Sequence, residues 1–262
     1  MKTKKTDLAL RRLKKRYTTG GALELPTAYQ SLVGVLLSAR TRDEQVLKLL
    51  PGFFKAFPTV QKLNKATVLQ IQSKINTIGM FRQKAKNLKA LAARVVEEFE
   101  GIIPDTMEDL VSLPGVGRKT ASVVLPYAFD KPAIAVDVHV HRTANRLGWV
   151  KTKTPDKTEQ ELLKLFKEND HPDVNRVFVK LGRYICISQK PRCWACPLAD
   201  ICVYKEKNLE APRNAEAILE DVDRREEALQ ELRKAINDLN SVILDLIQRS
   251  RAQIGIHRCL ER

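Results

Sequence analysis

Four cysteines within seventeen residues, Cys186, Cys193, Cys196 and Cys202, constrain this chain more than any other feature. Their spacing is C-x6-C-x2-C-x5-C, which asks for a loop closed around a common ligand. Disulfides are disfavoured, because nothing indicates export and a chain of 262 residues can build a core without them. Structural zinc more usually shows two C-x2–4-C knuckles separated by a longer loop. A clustered run shaped by Pro191 and Pro197 better suits four thiolates wrapped around one iron–sulfur cluster, with zinc as the alternative. Lys190, Arg192, Lys205 and Lys207 flank the cysteines, so the loop reads as a phosphate-contacting surface. Cys259 lies far away in the tail and reads as a lone thiol.

The rest of the chain is patterned for helices. Segments such as 31–50, 84–99 and 156–167 carry apolar residues at three- and four-residue spacings, and breaks fall at Pro51-Gly52, Gly101, Pro104, Pro114-Gly115, Pro132 and Pro155. Residues 133–136 form a short extended candidate, too isolated to argue for a sheet. The expected fold class is all-α. No run of about 18 apolar residues exists, which predicts no membrane span. The basic start, Met1 to Lys5, leads into no apolar stretch and does not read as a secretory signal, so a cytoplasmic location is expected.

Charge is unevenly placed. The whole chain carries 46 Lys+Arg against 31 Asp+Glu, a net +15. From Arg213 onward there are 9 basic and 10 acidic residues, which leaves +16 on residues 1–212. So basic a body is drawn to a polyanion, and nucleic acid is the commonest one in a cell. A merely solubilising surface is the plainer alternative.

A second informative stretch is Leu113-Pro-Gly115-Val116-Gly117-Arg118-Lys119-Thr-Ala. One helix is expected to end near Ser112 and another to begin near Arg118, with a glycine turn that lets backbone N–H groups meet a DNA phosphate. It is not a nucleotide-binding P-loop, since G-x-x-x-x-G-K-[ST] is absent. Further on comes Val136-Asp137-Val-His139-Val-His141-Arg142, where Asp137 reads as the cap of a helix over 138–147. The plainer reading makes Asp137 only a cap, Lys119 only a surface cation and His139 a packed residue.

From about residue 215 the texture changes. Val222, Leu229, Ile236 and Ile243 fall on heptad position a, with Ile218, Leu232, Leu239 and Leu246 on d. That pattern suits either a two-stranded coil, making a homodimer or a protein partner through residues 215–250, or one helix docked on the protein's own body.

Taken together, the glycine hairpin, the Val136–Arg142 segment and the four-cysteine loop resemble the helix-hairpin-helix DNA glycosylases, on their endonuclease III branch. The resemblance covers about residues 8–208, and Leu181-Gly-Arg183-Tyr184-Ile-Cys186 and Lys190-Pro-Arg192-Cys193 extend it. It implies a six-helix barrel domain over residues 25–132, with the hairpin at about 109–126. A cluster domain made from residues 1–24 and 133–212 is implied as well, leaving 213–262 as an added amphipathic helix. It also implies a 4Fe–4S cluster held by the four cysteines and double-stranded DNA, damaged or abasic, as the partner. Lys119 falls on the family's catalytic lysine and Asp137 on its catalytic aspartate. Met80 falls on the apolar wedge that enters the duplex, and Arg40 stands where many members have a glutamine that fills the extruded base's space. Gly115, Val116, Gly117, Arg118, His139, Lys190 and Arg192 are the further expected DNA contacts.

The activity so implied is that of a bifunctional glycosylase. It excises oxidised pyrimidines through a Schiff base on Lys119 and then cuts the strand 3′ to the abasic site by β-elimination. An amine nucleophile must be neutral, and burial together with a cation such as Arg118 is expected to favour that state. The alternatives are a mismatch thymine or uracil glycosylase of the same family and a non-catalytic DNA-binding protein. Arg40 departs from the family's glutamine, and Pro126 is expected to end the second hairpin helix early.

Overall fold

A computed structural model describes the backbone of residues 2–17 and 20–260 and the side chains of residues 5–17 and 20–242. Among the described residues there is no β-strand, and no helix is long and apolar enough to cross a membrane. Residues 133–136 are buried but belong to no helix or strand. The fold is all-α.

The chain divides into two compact units. Residues 1–24, 105–111 and 116–227 form the first, and residues 25–104, 112–115 and 228–262 the second. The implied boundaries put residues 105–132 with the barrel. Here 105–111 and 116–132 group with the first unit, where the helix after the hairpin packs against the helix over 171–180.

The first unit contains α1 (Lys2–Arg16), and later in the chain α7 (Met107–Ser112), α8 (Arg118–Phe129), α9 (Val138–Arg146), α10 (Pro155–Leu165) and α11 (His171–Lys180). Starts are set by local chemistry: the Thr154 hydroxyl accepts from Lys157 N, and Pro155 follows it at the first helical position. The core gathers Leu13, Ile134, Val140, Leu147, Phe178 and Leu198, and the rings of Trp149, Phe166 and Phe178 meet edge to face at 5.1–6.2 Å. Next after α11 comes a π-helical turn, Leu181–Ile185, closed by Cys186 N donating to Leu181 O at 2.7 Å. Gly182 lies in it because a Cβ there would come within 3.0 Å of the His139 carbonyl oxygen on α9.

The second unit contains α2 (Ala28–Ser38), α3 (Asp43–Ala56), α4 (Val60–Lys65), α5 (Val68–Ile75) and α6 (Phe81–Glu98). Thr27, Thr59 and Thr67 cap α2, α4 and α5, the last in a reciprocal capping box with Gln70. Phe53, Phe54, Leu32, Leu63, Ile71 and Leu88 are fully buried.

Three expectations about helix limits need correction. The segment 31–50 is interrupted at residues 39–42, separating α2 from α3. Pro51 does not break α3, which continues to Ala56 because Leu50, Phe53 and Phe54 are buried on either side of it. Pro126 likewise lies inside α8, which runs on to Phe129 with Ala121, Val124, Leu125 and Pro126 buried. In both helices packing outweighs one lost backbone hydrogen bond.

The tail forms α12 (Ala215–Leu260). In the first unit Val222 is 2% exposed within the core, Asp223 pairs with Arg16 at 2.8 Å and Glu226 with Lys180 at 2.6 Å. In the second, Leu229 and Ile236 are 6% and 0% exposed, and Asn240 Oδ1 accepts from Gln30 Nε2 at 3.1 Å. Position a is therefore covered by the chain itself from Val222 to Ile236, the docked-helix alternative. The side chains of Ile243, Leu246 and Cys259 lie outside the described residues.

Candidate active site and metal centre

The hairpin forms where the glycine turn predicts it. Its helix α7 ends at Ser112, whose carbonyl accepts from Arg94 Nη1 at 2.6 Å, and α8 opens at Arg118. Gly115 has φ +82, and a Cβ there would also meet the Asn87 side chain at 2.7 Å, so both conformation and space require glycine. Buried Leu113 and Val116 anchor the turn. Gly117 caps α8 without a side chain, which leaves the first N–H groups of that helix as an anion-binding end.

Lys119 sits in that first turn. It is exposed, and its ammonium makes no hydrogen bond or ion pair among the described residues. The burial expected around it is therefore not supplied by the protein. Arg118, expected as its cationic neighbour, is turned aside onto Glu159, with Nη2–Oε1 at 3.1 Å and Nε–Oε2 at 3.4 Å.

Asp137 caps α9. Its Oδ1 accepts from both His139 N and Val140 N at 2.9 Å, and Oδ2 has no partner among the described residues. One carboxylate oxygen is thus spent on positioning and the other is open. His139 is half-buried, and its Nδ1 lies 3.2 Å from Arg142 Nη2. Arginine only donates, so Nδ1 accepts and the proton sits on Nε2.

Beyond Asp137, α9 carries two arginines one turn apart that hold the cysteine loop. Arg142 donates Nε to Cys186 O at 2.9 Å and Nη2 to Gly182 O at 2.7 Å. Arg146 donates to Ile187 O at 2.6 Å, Ser188 O at 2.7 Å and Cys186 Sγ at 3.6 Å, with its guanidinium 4.6 Å from the Tyr204 ring centroid. Sequence reasoning did not single out either arginine as a site residue. Their signal is the i, i+4 spacing on the helix that Asp137 starts.

All four cysteines line one cavity, shared with apolar Leu147, Leu181, Ile185 and Pro191 and with the cations Arg146 and Lys207, and none is in a disulfide. Burial pushes the Cys196 thiol up to about 12 and raises that of Cys202. Thiols so placed ionise readily only against a metal's positive charge, which suits this donor set to a cluster. Among the described residues no three His, Cys, Asp or Glu side chains converge on a single-ion site; the fit rests on the shared cavity. The loop is tied down around it, with Arg192 N bonded to Ile185 O at 2.9 Å, Cys202 N to Leu198 O at 3.0 Å and Lys207 Nζ to Ala199 O at 2.9 Å.

The remaining expected DNA contacts fall into two groups. Arg192 points inward, its Nη1 donating to Tyr184 O at 2.9 Å, and serves the loop's own shape. By contrast Arg40, Met80 and Lys190 all adopt left-handed backbone, with φ 55, 57 and 46, and all three are exposed. Non-glycine residues are strained there, and such strain collects where function needs a side chain aimed.

The chain was compared with known proteins. Residues 33–168 match the HhH-GPD superfamily of base excision DNA repair proteins, and residues 186–202 the iron–sulfur binding domain of endonuclease III. Endonuclease III of Thermotoga maritima is 45% identical over 176 residues, 67% of this chain and 83% of that protein. Endonuclease III of Haemophilus influenzae is 37% identical over 206 residues, 79% of this chain and 98% of that protein. Among solved structures, a trapped covalent intermediate of endonuclease III with DNA superposes with TM-score 0.71 at 32% identity, covering 77% of this chain and 95% of that one. On these matches the chain belongs to the HhH-GPD superfamily of base excision DNA repair proteins, as a DNA-binding enzyme of the endonuclease III family with a 4Fe–4S cluster.

Proposed function

We propose that Lys119 is the nucleophile and Asp137 the assisting carboxylate with which this bifunctional DNA glycosylase and abasic-site lyase removes oxidised pyrimidines from duplex DNA. One observation carries the reading. An unpartnered lysine opens α8 behind the glycine turn, and the next helix, α9, opens on a carboxylate with one oxygen fixed and the other open.

The neutral amine of Lys119 attacks C1′ of the extruded nucleotide, and the glycosidic electron pair leaves with the base, which takes up a proton. The new secondary ammonium loses a proton, its nitrogen lone pair expels O4′, which takes up a proton, and the opened sugar is left as an iminium between Nζ and C1′. Abstraction of a C2′ proton then expels the 3′ phosphate by β-elimination, and hydrolysis frees the lysine. Oδ2 of Asp137 faces the positive charge that develops on the sugar and accepts or returns protons in these steps. Lys119 is exposed in the protein alone, so docked DNA is what encloses it. Cys186, Cys193, Cys196 and Cys202, which share one cavity, would hold the 4Fe–4S cluster, and its positive iron would supply the charge that favours their thiolates. Arg40 and Met80 are assigned to the opened duplex, as plug and wedge, which lowers the cost of extruding a base.

Borohydride trapping on a duplex with one thymine glycol tests this. A covalent adduct is expected with the native chain and none with Lys119→Gln. An adduct on a preformed abasic site but not on thymine glycol would leave the lyase standing and point to another base. An adduct that persists in Lys119→Gln would remove Lys119 from the mechanism.

A further inference from the structure

Lys84 is 5% exposed on the first turn of α6, and no carboxylate meets its charge among the described residues. Burial lowers its pKa below the ordinary lysine value. Its Nζ donates to Leu37 O and to Thr41 Oγ1, both at 2.8 Å. Leu37 stands in the last turn of α2, where carbonyls lack intrahelical donors and carry the negative end of the helix dipole. The ammonium thus forks across the short segment between α2 and α3.

Arg40 lies inside that fork with φ 55. A left-handed arginine persists only where its surroundings over-determine it. Arg42 O accepts from Gln45 N at 3.0 Å and Val46 N at 3.2 Å as α3 starts, but around Arg40 the backbone bonds are Thr41 N to Ser38 O at 2.9 Å and Ala39 N to Leu36 O at 3.4 Å, which is thin support. Lys84 has a second tie: its backbone N–H donates to Met80 O at 3.0 Å, in the turn that starts α6. Met80 is itself left-handed and 55% exposed. One residue therefore meets the segment carrying Arg40 through its buried side chain and the residue that caps α6 through its backbone. A buried ammonium with no carboxylate beside it is a poor device for stability alone, since an apolar residue of similar length would avoid its desolvation.

We propose that Lys84 is a positioning residue, whose ammonium locks the Arg40 segment in fixed register against Met80 so that the two meet the duplex as one rigid unit. The proposal rests on the reading of Arg40 and Met80 as duplex contacts.

The test uses the full chain carrying Lys84→Met, Thr41→Val or Thr41→Ser, the last keeping the acceptor hydroxyl. Trypsin cuts after Arg40 and Arg42, so mass-resolved nicking reads the segment without DNA. Nicking at these two sites is expected to rise by about tenfold in Lys84→Met and Thr41→Val, and to stay native in Thr41→Ser. Single-turnover kinetics then reads the consequence. Excision from a thymine glycol duplex is expected to fall by about 10- to 100-fold in Lys84→Met, as for a displaced positioning group. Cleavage at a preformed abasic site should fall far less, because no base has to be drawn from the stack. Unchanged nicking in both Lys84→Met and Thr41→Val, or equal losses on the two duplexes, overturns the proposal. Arg40→Ala and Met80→Ala separate it from the reading beneath it. If neither slows excision, the assignment of those residues to the duplex fails, while the nicking assay still decides whether Lys84 holds the segment.

Discussion

The two ends of α9 are built to opposite specifications. From its middle to its C-terminal end, Arg142 and Arg146 make four bonds to carbonyl oxygens at 2.6–2.9 Å between Gly182 and Ser188, so the cysteine loop is held from outside as well as by its own turns. At its N-terminal end Asp137 keeps one oxygen open, and Lys119, one helix earlier, has no partner among the described residues. The difference separates two jobs. Groups that hold the metal loop are saturated by protein, whereas groups assigned to chemistry are left for the substrate to complete.

The largest expected effect tests that separation directly. Lys119→Gln should lower strand cleavage by at least about a thousandfold, as for loss of a nucleophile, with brown colour, melting temperature and DNA affinity kept. A parallel loss of colour or affinity would mean that Lys119 is structural or grips phosphate instead. Asp137 sharpens the contrast within a single side chain. Asp137→Asn keeps an acceptor for His139 N and Val140 N, so activity should drop by about a hundredfold with little change in melting. Asp137→Ala should add a cap loss of about 1 kcal/mol, readable by denaturant titration.

Arg146→Ala should do the reverse of Lys119→Gln. It removes donors to Ile187 O, Ser188 O and Cys186 Sγ, at about 2–4 kcal/mol for bonds to a charged group. Visible absorbance should bleach faster in chelator, and Arg146→Lys should not restore it, because an ammonium lacks the guanidinium's widely spaced donors that reach Ile187 O, Ser188 O and Cys186 Sγ together. An unchanged bleaching rate would show that the loop needs no support from α9. The smallest effect is expected on α12. Glu226→Gln removes the carboxylate 2.6 Å from the ammonium of the little-exposed Lys180 and should cost about 1–3 kcal/mol of stability, with cleavage unaffected. If melting does not move, the tail's docking is held by its apolar line alone.

What was legible in the sequence was local. The cysteine spacing, the glycine hairpin and the Asp137 cap are each encoded within a few consecutive residues, and each stands where it was expected. Arg142 and Arg146 were not legible as loop anchors, since their acceptors are carbonyls some 40 residues away, and every residue has a carbonyl. Pro51 and Pro126 misled because a helix break is a local cost that burial on both sides overrides. The heptads of the tail were ambiguous for a different reason: an a line looks the same whether a partner or the chain's own body covers it. The exposure of Lys119 and the inward turn of Arg192 depend on tertiary neighbours, and no spacing announces them.

The π turn at Leu181–Ile185 makes the reading frame of the backbone itself a specification. It puts one residue more than an α-helix would between its first carbonyl and Cys186, and each residue of helix turns the chain by about 100°. A deletion of one residue between Leu181 and Ile185 would let α11 run on as a regular helix and swing Cys186 away from the cavity it shares with the other three thiols. Substitutions here can be conservative, but a shift of register cannot. Gly182 apart, length more than composition is what keeps Cys186 at that cavity.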